Sequence, residues 1–179
     1  MNKRLGRQEW IDAALLALSQ HGIDGVRVER LAETLKVTKG SFYWHFADRN
    51  ALLEALLIAW KARATGDIIA MVETRGGNAG QRLRTLARAV FNADGRLDRQ
   101  IRAWAANDPV AWASQDEIDR LRMSYLEGLF EQLGFSPVEA SARATFSYHA
   151  LIGQFTMGAD NKPKPEELEI VLRMLLGEN

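Results

Sequence analysis

The chain contains no cysteine, which excludes disulfides, thiolate metal ligands and cysteine nucleophiles. No apolar run reaches the roughly 18 residues needed to cross a bilayer, so no membrane partner is expected. The basic lead Met1-Asn-Lys-Arg-Leu-Gly-Arg7 runs into Glu9 and Asp12 instead of an apolar stretch. Export is therefore not expected, and a cytoplasmic setting is. The three histidines, His21, His45 and His149, have no short metal-binding spacing. There is no Gly-x-Ser-x-Gly elbow, and the loop Gly76–Gly80 lacks the Lys-Ser/Thr ending of a phosphate-binding loop. These absences predict a protein that is not an enzyme, with no catalytic residue, no metal and no cofactor. Alternating strand patterns are missing as well.

What is present is ordinary for a folded soluble chain: 47% hydrophobic and 26% charged residues. Net charge is zero, but its distribution is uneven. Residues 1–50 hold eight Lys/Arg against six Asp/Glu, and residues 51–179 hold fifteen against seventeen. A DNA reader needs a local basic surface, not a basic chain.

Gly and Pro divide the chain into helices. Ile11, Ala14, Leu15 and Leu18 repeat as one buried helical face, which stops at His21-Gly22. A short helix over about 28–35 buries Val28, Leu31, Ala32 and Leu35, and Lys36-Val37 is a turn. Thr38 is placed to cap a third short helix running to Phe46, and Asp48 to cap a fourth that dissolves near Arg75-Gly-Gly. Asn78 is a cap for the next, and another spans about 97–107. Ser114-Gln-Asp-Glu117 and Ser136-Pro-Val-Glu139 read as capping boxes, predicting helices over about 115–133 and 137–157. Asp160-Asn-Lys-Pro-Lys-Pro165 reads as a linker before a last helix at about 166–176. The expected fold is all-α.

Residues 26–46, Val-Arg-Val-Glu-Arg-Leu-Ala-Glu-Thr-Leu-Lys-Val-Thr-Lys-Gly-Ser-Phe-Tyr-Trp-His-Phe, fit a helix-turn-helix. Two helices this short need an outside wall, which Ile11, Leu15, Leu18, Leu52 and Leu53 supply. Phe42 and Phe46, four apart, point inward, leaving Thr38, Lys39, Ser41, Tyr43, Trp44 and His45 outward. Such an exposed row is costly unless it meets a partner. The start of this third helix offers backbone N–H groups and a positive dipole end to phosphate. Gly40 permits close approach at roughly 1 kcal/mol of helix propensity.

Val37-Thr-Lys-Gly-Ser-Phe-Tyr-Trp-His-Phe46, followed by Asp48-Arg49 and Leu52-Leu53, closely resembles the TetR family of helix-turn-helix regulators. Ala13-Ala14-Leu15, His21-Gly22 and Leu31-Ala32 fit too, so the resemblance covers about residues 8–60. It implies an N-terminal three-helix DNA-binding domain (6–60, the helix-turn-helix at about 27–46). A C-terminal helical dimerisation and ligand-sensing bundle (61–179) follows. It implies a homodimeric regulator, usually a repressor, bound to a palindromic double-stranded DNA operator and released by a small-molecule effector. Base-edge contacts are implied for Thr38, Lys39, Ser41 and Tyr43, phosphate contacts for Tyr43, Trp44, His45 and Arg49, and close approach at Gly40. Two departures stand out. The family's usual turn glycine is Lys36 here, at a cost on the order of 1 kcal/mol for a left-handed residue. Arg27 and Val28 replace the hydroxyl residue that often caps the second helix, with Arg27 as the substitute phosphate contact.

Beyond residue 60 the resemblance gives architecture and no residues. Ile118, Leu121, Tyr125, Leu129 and Leu133 form one stripe, and Val138, Ala142, Phe146, His149 and Ile152 another. Helices apolar on more than one face are central or shared with a second subunit, and sharing predicts a four-helix dimer interface. Phe91, Trp104, Trp112, Tyr125, Phe146 and His149 are candidates to line a ligand cavity, though such residues are more often simply core. Arg82, Arg84 and Arg88, and Arg96, Arg99 and Arg102, read as solvated faces. The alternative to the regulator is a helical protein-interaction module without ligand sensing.

Overall fold

A computed structural model describes residues 5–158 and 162–178. Residues 1–4 of the basic lead and the Asp160-Asn161 part of the linker lie outside the described residues. Among the described residues there is no strand, and nine α-helices run in order. They are α1 Arg7–His21, α2 Val28–Leu35, α3 Arg49–Lys61, α4 Asp67–Arg75, α5 Ala79–Asn92, α6 Arg96–Ala105, α7 Pro109–Gln132, α8 Pro137–Met157 and α9 Pro165–Leu176. Short 3₁₀ segments occupy Ile23–Gly25 and Lys39–Trp44, and one π-turn, Ala62–Gly66, joins α3 to α4.

The helices start and stop for local chemical reasons. Asp48 Oδ1 accepts from the Ala51 N–H at 2.9 Å and opens α3. Asn78 and Gln81 cap α5 reciprocally, each bond 2.9 Å, and Ser136 and Glu139 do the same for α8. The Ser114 box is not a helix start, because Ser114 lies inside α7. That helix begins earlier, where Asp108 Oδ1 accepts from Val110 and Ala111 at 2.9 and 3.0 Å and Pro109 takes the first helical position. Thr38 sits at the N-cap of the 39–44 segment without a side-chain bond. That segment is 3₁₀ instead of the expected α-helix. Leu35 is half-buried, where full burial was expected.

The chain forms two compact units. The first takes in the chain up to Ala64 together with Arg96–Gln115. α1 is its hub, packing on α2, α3, α6 and the 23–25 turn. Trp10, Ala14, Leu18, Val26, Phe42, Leu52, Leu56 and Ile101 are all fully buried. Trp60 is buried too, its indole N–H donating to Asp98 Oδ2 at 3.4 Å.

The second unit holds Thr65–Gly95 and the chain from Asp116 onward. Its core gathers Ala79, Leu83, Leu129, Phe130, Ala140 and Ala144, with Leu175 and Leu176 of α9 packed against it. Arg84 fixes α9 by bonds to Glu169 at 3.1 Å and Glu178 at 2.5 Å. Arg82 binds Glu73 at 2.9 Å and also Gln132. The solvated-face reading is therefore wrong for these two arginines, which are largely buried clamps between helices.

Lys36 closes α2 in the left-handed region, φ 56° and ψ 43°, as the usual turn glycine of the resembled family implies. Val37 N–H reaches back to Ala32 O at 3.0 Å, a Schellman-type closure. Lys36→Gly is expected to keep or raise stability by up to ~1 kcal/mol, relief of strain being partly offset by glycine's freedom in the unfolded chain. Lys36→Val is expected to lose more than ~1 kcal/mol, since a β-branched side chain fits that region worst. Urea titration of both variants checks the turn, and a glycine variant less stable than the valine one would contradict it.

Candidate nucleic-acid interface

Two phenylalanines mount the recognition segment. Phe42 is fully buried and meets Trp10 edge-on at 5.3 Å between centroids. It stacks on Phe46, also at 5.3 Å, and Arg7 covers the Phe46 ring at 4.8 Å. With 42 and 46 inward, the intervening residues turn outward. Trp44 is 82% and Tyr43 56% exposed. Thr38, Lys39 and Gly40 are exposed, and Ser41 is half-buried. A Cβ placed on Gly40 meets only Thr38 Oγ1, at 3.8 Å, so nothing inside the fold demands glycine there.

The remaining expected contacts have partners within the protein. His45 is half-buried, its Nε2 2.9 Å from Leu5 O. Arg49 is half-buried and donates to Val26 O at 2.6 Å and Ile23 O at 2.9 Å. It braces the entry to α2 from the first turn of α3. Arg27, exposed at the N-cap of α2, donates through Nε to Asp24 O at 2.9 Å. Lys39 forms an exposed ion pair with Glu29 from the first turn of α2. That bond holds the Glu29 carboxyl below its usual range and the Lys39 ammonium above its own. Glu29 was not anticipated. The opposite charges at the start of α2 and just after the turn were the available signal.

The six residues suggested for a ligand cavity are dispersed. Trp104 and Trp112 belong to the first unit. Trp104 is buried, whereas Trp112 is 58% exposed. In the second unit the Tyr125 hydroxyl donates to Glu73 at 2.5 Å; burial, then that carboxylate, pushes its phenol well above the usual range. Phe91 is half-buried and its carbonyl accepts from Gln154 at 3.0 Å. Phe146 and His149 come together, in an open groove on α8 with Pro137, Val138, Ser141, Ala142 and Thr145.

Residues 11–56 match the family model described as bacterial regulatory proteins, tetR family. The family likeness in sequence is thus carried by the N-terminal helices. The class D tetracycline repressor protein of Escherichia coli is 43% identical over 60 residues, 34% of this chain and 28% of that protein. The probable acrEF/envCD operon repressor of Escherichia coli K12 is 34% identical over 50 residues, 28% of this chain and 23% of that one. The matched stretch thus spans about a quarter of the length of these curated relatives. Solved structures extend the fold likeness to nearly the whole chain. The reduced form of Escherichia coli NemR superposes with a TM-score of 0.77 at 21% identity, covering 94% of this chain and 95% of that one. A transcriptional regulator from Rhodococcus sp. Rha1 gives 0.75 at 18%, covering 97% and 95%.

Arg49→Ala leaves the Ile23 and Val26 carbonyls without their charged donor. The expected loss is about 1–3 kcal/mol of unfolding free energy, read in urea without DNA. Unchanged stability would contradict the brace.

Proposed function

We propose that this chain is a tetR-family, sequence-specific DNA-binding transcriptional repressor, homodimeric on a palindromic operator and released by a small-molecule effector. One observation carries the reading: the outward row Thr38, Lys39, Tyr43 and Trp44 over buried Phe42 and Phe46. It lies within the stretch matched to the tetR-family model. An exposed Trp beside an exposed Tyr is costly in water and useful against a sugar-phosphate wall. In this reading Lys39, Thr38, Ser41 and Tyr43 face base edges. Trp44 and Tyr43 pack on the backbone, and the open space at Gly40 admits close approach. Arg49 and His45 act chiefly by holding the segment in place.

The dimer reading rests on α8 and α9. Val138 is 81% and Phe146 67% exposed on α8, and Ile170, Val171 and Met174 are exposed on α9. α7, first expected in the seam, turns Ile118, Leu129 and Phe130 inward and leaves Leu121 exposed. Support for an effector is narrower. Gln154 is buried, with its side-chain oxygen lacking a partner, a position suited to a ligand donor.

Lys39→Ala and Tyr43→Ala should fold normally and bind operator DNA more weakly. The lysine variant should also lower the slope of log K against log salt by about 0.9 if that ammonium neutralises one phosphate in the nonspecific complex. A gel shift on the protein's own promoter region tests the reading, and normal binding by both folded variants would overturn it. Light scattering should give twice the 20.1 kDa chain mass. Phe146→Glu should leave a folded monomer, because a paired seam would bury that charge at several kcal/mol. Ala144 does not serve for this test, being wholly inside its own subunit's core.

A further inference from the structure

The Glu29–Lys39 pair sits on the exposed surface that the recognition segment presents. A carboxylate there is unfavourable against a polyanion, because it cancels a neighbouring cation and repels phosphate. Its side chain contributes little to holding the fold, since exposed ion pairs are weak. Its chemistry does match one base pair. An ammonium has three N–H donors, and Glu29 Oε1 takes one of them. The others remain to be directed at acceptors, and the carboxylate, which also accepts from its own backbone N–H, keeps lone pairs for a further donor. In the major groove, a G·C pair offers the guanine N7 and O6 acceptors beside the cytosine N4 amino donor. On the A·T edge the adenine N6 donor stands where guanine presents O6, so an ammonium spanning N7 and that position meets a donor, and a carboxylate over the cytosine N4 position meets thymine O4.

We propose that Glu29 and Lys39 form a single base reader that specifies a G·C pair, Lys39 donating to guanine O6/N7 and Glu29 accepting from cytosine N4. This rests on the DNA-binding reading of the preceding section and adds Glu29 to it as a specificity-determining residue. It explains an acidic side chain on a DNA-facing surface. Glu29 lowers affinity for arbitrary sequence, and the right base pair restores what it costs.

The test uses the full chain. Selection from random duplex DNA gives the bound sequence, and fluorescence anisotropy then measures duplexes substituted at each position. One position should require G·C, and A·T there should weaken binding roughly tenfold or more. An inosine·cytosine pair, with the same major-groove edge, should bind as G·C does. Glu29→Ala should shrink that discrimination to under threefold at this position alone and tighten binding to random-sequence DNA. An enriched sequence whose preferences at every position survive Glu29→Ala, or one with no G·C requirement, overturns the reader and leaves DNA binding intact. No enriched sequence from the wild-type chain would instead overturn the DNA-binding function itself.

Discussion

The contact of Trp10 with Phe42, and of Phe42 with Phe46, is the constraint on which the first unit's surface depends. Residues 39–44 form six residues of 3₁₀ helix without a side-chain cap, too short to persist alone. Two phenylalanine rings seated against α1 supply what the backbone cannot. Once they are buried, the rotation of the segment is fixed and Tyr43 and Trp44 have nowhere to go but outward. The Arg49 bonds to Ile23 and Val26, and the His45 bond to Leu5, then fix the segment's flanks. Because α6 also packs on α1, the helix that seats the reader is held from a second side.

Charge divides into two kinds of work. Arg82 and Arg84 are largely buried and tie helices of the second unit through carboxylates, and Arg49 does similar work through carbonyls. Lys39 and Glu29 stay in solvent, where a pair contributes little to folding and remains available to a partner. This separation explains how a chain with no net charge can still carry the local charge that the proposed DNA contact requires.

Much of this was legible from residue spacing. The buried faces of α1 and α2, the inward pair at 42 and 46, and the caps at Asp48, Asn78 and Ser136 follow from periodicity and local hydrogen bonding. The left-handed Lys36 was implied by the usual turn glycine of the family this segment resembles. What was not legible depended on a competing local cap and on contacts distant in sequence. Ser114-Gln-Asp-Glu117 has the form of a helix start, yet Asp108-Pro109 had already opened α7. Arg84, read as solvated, meets Glu169 and Glu178 more than eighty residues away. Residues 96–115 group with the N-terminal unit because Ile101 and Trp104 bury there, and no local pattern encodes that. Aromatic count carries no such placement either: Phe146 and His149 lie on an open face of α8.

Trp44 offers the most direct measurement of the central claim, that the outward face of residues 38–44 meets DNA. Among the five tryptophans, Trp10, Trp60 and Trp104 are buried, leaving Trp44 and Trp112 exposed. In a Trp112→Phe chain, a neutral quencher such as acrylamide should reach chiefly Trp44, and saturating operator duplex should remove most of that quenching. Quenching that stays the same while the duplex is demonstrably bound would place the DNA elsewhere and contradict the account.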